Sequence, residues 1–185
     1  MPGLHQNRAL LPALANTCEQ LIKEFSHITP ERKVVLQQLT AFIQNKIKGN
    51  QTVYLNFICT HNSRRSHIAQ LWAQAAAHYY GVSAIECFSG GTETTAFNPR
   101  AVKAMQDAGF HILKTKQSDN PVYEVRFADQ AKPITAFSKK YDDPFNHPID
   151  FAAIMTCSHA DENCPLVAGA SARIAITYDD PKEYD

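Results

Sequence analysis

The sequence predicts an open α/β sheet preceded by a helical arm, and three observations carry that prediction. Residues 52–58 are rich in β-branched and aromatic side chains and read as a buried strand. The chain then enters a polar loop, 59–65, and a helical stretch, 66–80, in which Ile68, Trp72, Ala75, Ala76 and Tyr79 are available to pack. Three further short apolar runs, 83–88, 151–156 and 173–177, supply candidate core strands. Strand, tight loop and helix open many α/β sheets, whose ligands sit at the carboxyl ends of the strands.

Taken in order, the first fifty residues read as two helices. Leu10, Leu14, Cys18, Leu21, Ile22 and Phe25 recur at helical spacing. Thr29 then offers an N-cap and Pro30 a first helical residue. Val35, Leu39, Phe42, Ile43 and Ile47 would form the inner face of that second helix, with Gly49 as its stop. Gly90-Gly91 ends the second strand, and Asn98-Pro99 starts a helix carried by Ala101, Val102 and Met105 and closed by Gly109. The stretch 113–150 fits this scheme less well. Within it, 122–127 and 134–137 alternate like a β-hairpin, which reads as an insertion near the active face. The expected organisation is a helical arm over 1–50 and a catalytic domain over 51–185, with the insertion at about 113–150.

Bulk properties narrow the function. The 185 residues carry a formal net charge of zero, with no basic stripe or charge block that would call for a nucleic-acid or membrane partner. No apolar run approaches a membrane span, and no signal core follows the N-terminus, so a cytoplasmic location is expected. Five cysteines, Cys18, Cys59, Cys87, Cys157 and Cys164, are odd in number and irregular in spacing for a secreted disulfide framework. In a reducing compartment, such cysteines are more often catalytic or metal-binding.

The decisive stretch is Cys59-Thr60-His61-Asn62-Ser63-Arg64-Arg65-Ser66. A loop between strand and helix can curl its backbone N–H groups inward into a nest for an anion. The following helix adds its positive end, and the planar fork of Arg65 can grip two oxygens at once. The same field favours Cys59 as a thiolate. Ser66 can donate a hydrogen bond to that sulfur, and Asn62 can brace the loop by bonding its own backbone. The bland alternative is a buried cysteine followed by a basic surface turn.

Residues 57–66 resemble the phosphate loop of the low-molecular-weight protein tyrosine phosphatase superfamily, which includes the thioredoxin-coupled arsenate reductases. Ser89-Gly90-Gly91-Thr92 and Asn98-Pro99-Arg100-Ala101-Val102 are similar to the segments that follow the first helix there. The likeness spans about residues 52–182, interrupted by the insertion. It implies a three-layer α/β/α domain with a four-stranded parallel sheet. It also implies Cys59 as nucleophile and residues 60–66, namely Thr60, His61, Asn62, Ser63, Arg64, Arg65 and Ser66, as the cradle for phosphate or arsenate. Arg64 departs from the pattern, since many relatives carry a second cysteine there. The family's fold closes with one more helix after the acid loop. Here either the N-terminal helices cover that face of the sheet or it stands open.

The resemblance further implies a general acid, an aspartate just before proline, which points to Asp180 in Asp179-Asp180-Pro181. Its pKa would have to be raised by desolvation or by the neighbouring negative charges. Asp142-Asp143-Pro144 has the same letters but lies in the insertion, away from a strand end. Finally, the segment 157–165, Cys157-Ser158-His159-Ala160-Asp161-Glu162-Asn163-Cys164-Pro165, resembles the redox segment of the reductases. The implied relay runs from Cys59 to Cys157 to Cys164 and ends on thioredoxin or a similar dithiol. Pro165 would mark a boundary for the rearrangement that relay needs. Competing readings remain: zinc with His159 as third ligand, although a C-x₂₋₄-C knuckle is missing, or two unrelated buried thiols. Cys18 and Cys87 read as core residues.

Three functions follow from this reading. The first is arsenate reduction. The second is phosphomonoester or phosphotyrosine hydrolysis through a cysteinyl-phosphate, and the third a non-catalytic phosphate-binding or redox-sensing module. No metal or cofactor is expected.

Overall fold

A computed structural model describes residues 9–164 and 166–184. Pro165, expected to bound the redox segment, lies outside the described residues. The main sheet has four parallel strands in the order β2 (Ile85–Gly91), β1 (Val53–Cys59), β6 (Phe151–Met155), β7 (Ala170–Ala175). Strand β1 is central and almost wholly buried, which is why it reads as a continuous apolar run rather than an alternating one.

The two faces of this sheet are covered differently. Val53, Leu55 and Phe57 join Ile85, Cys87, Ala152, Ile154 and Ile174 beneath two helices, α2 (Pro30–Lys48) and α3 (Arg65–Tyr79). Helix α2 lays Val35, Leu36, Leu39, Phe42 and Ile43 on that core. The N-terminal arm therefore supplies cover for the sheet. Thr29 caps α2 as expected, its side chain accepting from the Arg32 amide at 3.2 Å. On the opposite face, Ile58, Phe151, Ala153 and Met155 pack with Cys157, Ala160 and Val167, the first at the start of the short helix α5 (Ser158–Asn163) and the second within it.

The insertion forms its own layer. The expected hairpin is β4 (Val122–Arg126) against β5 (Ile134–Ala136), and a third antiparallel strand, β3 (His111–Lys116), joins its other edge. Only Ile112 of β3 is buried, so this lysine-bearing edge has no alternation to betray it in sequence. The small sheet closes a second core with Leu14 of α1 (Pro12–Lys23), Leu71 and Ala75 of α3, and Ala101, Val102 and Met105 of α4 (Pro99–Asp107). Helix α3 thus lies between two cores. The apolar stripe of α1 is used only at its start: Leu14 is buried, whereas Leu21 and Phe25 are exposed. No described helix is long and apolar enough to cross a membrane.

Candidate active site

The site lies at the carboxyl edge of the parallel sheet, where β1 runs out at Cys59 and α3 begins at Arg65. Between them the carbonyls of the loop are turned outward and held. Thr92 N–H donates to Cys59 O (3.1 Å), and Glu93 N–H and Thr92 Oγ1 donate to Thr60 O (2.8 and 3.2 Å). Ser138 Oγ and Thr95 Oγ1 donate to His61 O (2.9 and 3.3 Å), and Asn98 N–H donates to Ser63 O (2.9 Å). In a trans peptide the N–H points opposite to its C=O. Fixing those four carbonyls therefore sends the amides of Thr60, His61, Asn62 and Arg64 the other way, into the loop, with α3 adding its own N-terminus.

Close approach of the neighbouring strand makes this possible. A Cβ on Gly91 would sit 2.6 Å from Thr60 O and 2.8 Å from Asn62 N, and would also collide with Glu93 O. Only glycine lets β2 lie against the loop here.

Asn62 is fully buried, in the left-handed region at φ 44°. Contrary to the sequence expectation, its side chain does not bond its own backbone. Its Oδ1 accepts from Lys139 N–H (2.9 Å) and its Nδ2 donates to Ser66 Oγ (2.8 Å). With one lone pair engaged by that amide, the Ser66 hydroxyl keeps its proton available for Cys59 Sγ, 3.1 Å away. The sulfur thus receives a hydrogen bond set by two residues behind it.

Arg65 spreads its fork over two oxygens, Nη1 to Tyr178 O (3.1 Å) and Nη2 to Asp180 Oδ2 (3.2 Å). Asp180 is held below the usual carboxylate range by the Lys182 backbone N–H on its Oδ1 and by the nearby Arg65, Lys182 and Arg64 charges, with partial burial opposing them. The raised pKa expected of an acid is thus corrected: the carboxylate sits among cations that lower it. Asp143 plays a different part: its Oδ1 caps a turn through Phe145 N–H (2.9 Å), and it does not line the cleft.

Arg64, Arg65, Ser63, Thr60, His61 and Cys59 line a cleft of about 620 Å³, together with His159, Asp180 and Lys182. His61 is at the rim, 3.5 Å from Glu93. Cys157 caps α5, its sulfur accepting from Ala160 N–H (3.4 Å), and lies 3.5 Å from Thr60 Oγ1. Cys164 closes the same helix, half-buried, with its thiol donating to Leu166 O at 3.6 Å. All five cysteines are free thiols. Among the described residues, no group of three or more His, Cys, Asp or Glu side chains is placed to hold a metal.

Two buried polar residues escaped sequence reasoning. His67 stacks on Phe97 (4.1 Å between ring centres) and meets Ser89 Oγ at 3.3 Å. Burial, reinforced by the Lys139 charge, pushes its pKa well below the ordinary histidine value. Lys139, only 2% exposed, is packed over the rings of Phe137 and Phe145, and burial lowers its pKa to about 8. Neither position carries a spacing signal. Lys139 is enclosed by rings of the insertion itself, and His67 by Phe97 and Ser89.

A parallel sheet with a cysteine at the end of its central strand, under a loop of inward amides and an arginine fork, defines a class of oxyanion-handling cysteine proteins. The family model described as low molecular weight phosphotyrosine protein phosphatase matches residues 54–128, and the chain belongs to that family. It is 30% identical over 135 residues to an arsenate reductase of Brevibacillus brevis, covering 73% of this chain and 80% of that protein. It is 28% identical over 131 residues to "Arsenate reductase 2" of Staphylococcus epidermidis, covering 71% and 79%. To an arsenate reductase of Bacillus cereus it is 27% identical over 135 residues, covering 73% and 80%.

Proposed function

We propose that the chain is an arsenate reductase in which Cys59, Cys157 and Cys164 act in turn. The observation that carries this reading is the second thiol at the loop: Cys157 Sγ stands 3.5 Å from the hydroxyl of Thr60, the residue next to Cys59. Hydrolysis of a phosphomonoester needs one cysteine, and reduction needs others. The names of the three relatives support the same choice.

Arsenate enters the cradle of residues 60–66 and takes the Arg65 fork from Tyr178 O and Asp180. The Cys59 thiolate forms an S–As bond while an arsenate oxygen leaves as water, with Asp180 the proton donor. Asp180 then faces an anion in place of a guanidinium, which raises its pKa toward that role. The Cys157 thiolate attacks Cys59 Sγ, the S–As bond breaks with its electron pair on arsenic, and arsenite departs. Cys164 next attacks Cys157, freeing Cys59. A dithiol protein of the thioredoxin type returns two electrons to the Cys157–Cys164 disulfide. Cys164, half-buried beside the 84%-exposed Leu166, is the sulfur such a partner can reach. This chemistry suits a reducing compartment such as the cytoplasm.

The helix between the two thiols must open. Seven residues of helix separate Cα atoms by about 10.5 Å, and a disulfide needs less than about 7 Å. Cys157 and Cys164 bracket α5, so forming their bond unwinds it.

Phosphomonoester hydrolysis is the second reading, favoured by the Cys59, Arg65 and Asp180 set. Among the described residues lining the cleft there is no Phe, Tyr or Trp ring to sandwich a phosphotyrosine, which favours a small oxyanion. A non-catalytic module would not need Asp180 held over the loop. Multiple-turnover assays with arsenate and a dithiol protein separate the three. Cys157→Ser and Cys164→Ser each stop multiple-turnover arsenate reduction and retain aryl-phosphate hydrolysis. Turnover of arsenate undiminished in both variants would remove the reductase assignment. Ligand binding with no turnover of either substrate would leave only the module.

A further inference from the structure

Cys157 has a task for which its surroundings look unsuited. Its side chain is 1% exposed and packed among Ile58, Met155, Ala160 and Val167. The proposed second step needs its thiolate, and the Ala160 N–H that the sulfur accepts at 3.4 Å cannot take the proton.

The Thr60 hydroxyl offers a way out. Its Oγ1 lies 3.5 Å from Cys157 Sγ and 3.2 Å from His159 Nδ1. A hydroxyl has one proton to give and lone pairs to receive with. With the ring proton assigned to Nε2, the only order that uses every group is S–H to Oγ1 and O–H to Nδ1. His159 itself is at the open end, exposed and lining the cleft. Buried sulfur, bridging hydroxyl and solvent-facing imidazole thus form a continuous line leading out of the core.

We infer that His159 is the base for Cys157, acting through Thr60. This rests on the reductase reading and names the group that starts its second step. The thiol proton passes to Thr60 Oγ1 as the hydroxyl proton passes to His159 Nδ1, leaving a thiolate and an imidazolium. The thiolate pair forms the bond to Cys59 Sγ. The S–As bond breaks, arsenic goes from +5 to +3, and the departing arsenite oxygen takes the proton from His159. The line is then neutral again. His159 touches the leaving oxyanion from the cleft and the attacking sulfur only through Thr60.

Other charges facing the cleft bear on when this line works. Arg64, Arg65 and Lys182 favour the thiolate and oppose the imidazolium, while Asp180 and Glu93 do the reverse. His61 is the other imidazole at the rim. Asp161 and Glu162 share α5 with His159, and Asp161 is already paired with Arg173.

The test uses the Cys164→Ser protein, in which the relay stops after one arsenite per chain. Arsenite release is followed in single turnover from pH 5.5 to 9.5, with aryl-phosphate hydrolysis measured on the same samples. In the Cys164→Ser parent, release rises through the histidine range and levels off. Adding His159→Ala slows release about 100-fold near neutrality and moves the rise to the range of an unassisted thiol. Thr60→Val does the same, and Thr60→Ser restores the parent profile. An unchanged profile and rate in His159→Ala overturns the inference. So does an equal loss at every pH, which would make His159 a structural support alone. No arsenite from the parent, with hydrolysis intact, overturns the reductase reading and this inference together.

Discussion

The loop from Cys59 to Ser66 and the segment from Cys157 to Cys164 sit side by side at the same sheet edge, and they are held in opposite ways. Four loop carbonyls are tied to three other parts of the chain, and the Asn62 side chain is wedged between Lys139 and Ser66. The redox segment is a six-residue helix whose far end is held by a residue of β7. Arg173 of β7 donates from Nε to Cys164 O (3.2 Å) and from Nη2 to Asp161 O, and pairs with the Asp161 carboxylate at 2.6 Å. The difference follows from the chemistry proposed for each. Anion capture gains from donors fixed before the ligand arrives, whereas a thiol relay requires a sulfur that can travel.

The contrast can be broken most severely at Gly91. Gly91→Ala places a methyl against three backbone atoms of neighbouring segments that cannot swing aside. The expected result is a loss of about 3 kcal/mol or more in denaturant unfolding and collapse of oxyanion affinity in calorimetry.

Lys139 comes next, and its effect has an unusual sign. Its pKa falls from 10.5 to about 8 on folding, so the unfolded chain binds the extra proton between those values. Stability from this group is therefore absent below about pH 8 and gained as pH rises toward 10.5. The upper bound is about 3 kcal/mol. Lys139→Met should raise stability at pH 7 relative to the parent and flatten the pH 8–10.5 arm in chemical denaturation. A parent curve that falls across that window would refute it.

Asn62→Ala strands the Lys139 N–H and leaves the Ser66 proton undirected. About 1–3 kcal/mol of stability should go with the unpaired buried donor. Hydrolysis should fall at every pH, read as kcat for an aryl phosphate. The mildest change sharpens the comparison from the other side. Arg173→Gln should cost about 1 kcal/mol or less and raise amide exchange in α5 about tenfold, with the loop amides unmoved. Equal acceleration in both segments would mean that the two do not move independently.

The cysteine loop could be read from sequence because its logic is local. A strand, a nest and a helix start follow one another within fourteen residues, and the Cys59 and Arg65 positions need no distant information. The same is true of the α2 cap at Thr29-Pro30. What escaped notice depends on contacts far along the chain. Lys139 reads as a surface lysine until the aromatic rings of the insertion close over it. The Asn62 amide finds its partner 77 positions away. Strand β3 shows no pattern because one of its faces is solvent and the other buries only Ile112. Asp180 lies at the edge of the cleft, but the sign of its pKa shift depends on the partner Arg65 holds, and no sequence pattern encodes that.

Helix α2 carries a last consequence. Arg32 donates to Thr177 O at 2.9 Å and lies over the Tyr178 ring, bridging 145 positions to the segment that bears Asp180. A ribosome finishes this helix long before β7, the strand it must rest on, has been made. Until then its oily side lacks part of the sheet it covers, and the segment that bears Asp180 can be pinned only after β7 has emerged. Assembly of the catalytic edge is thus a late event, in which α2 waits for strands made after it.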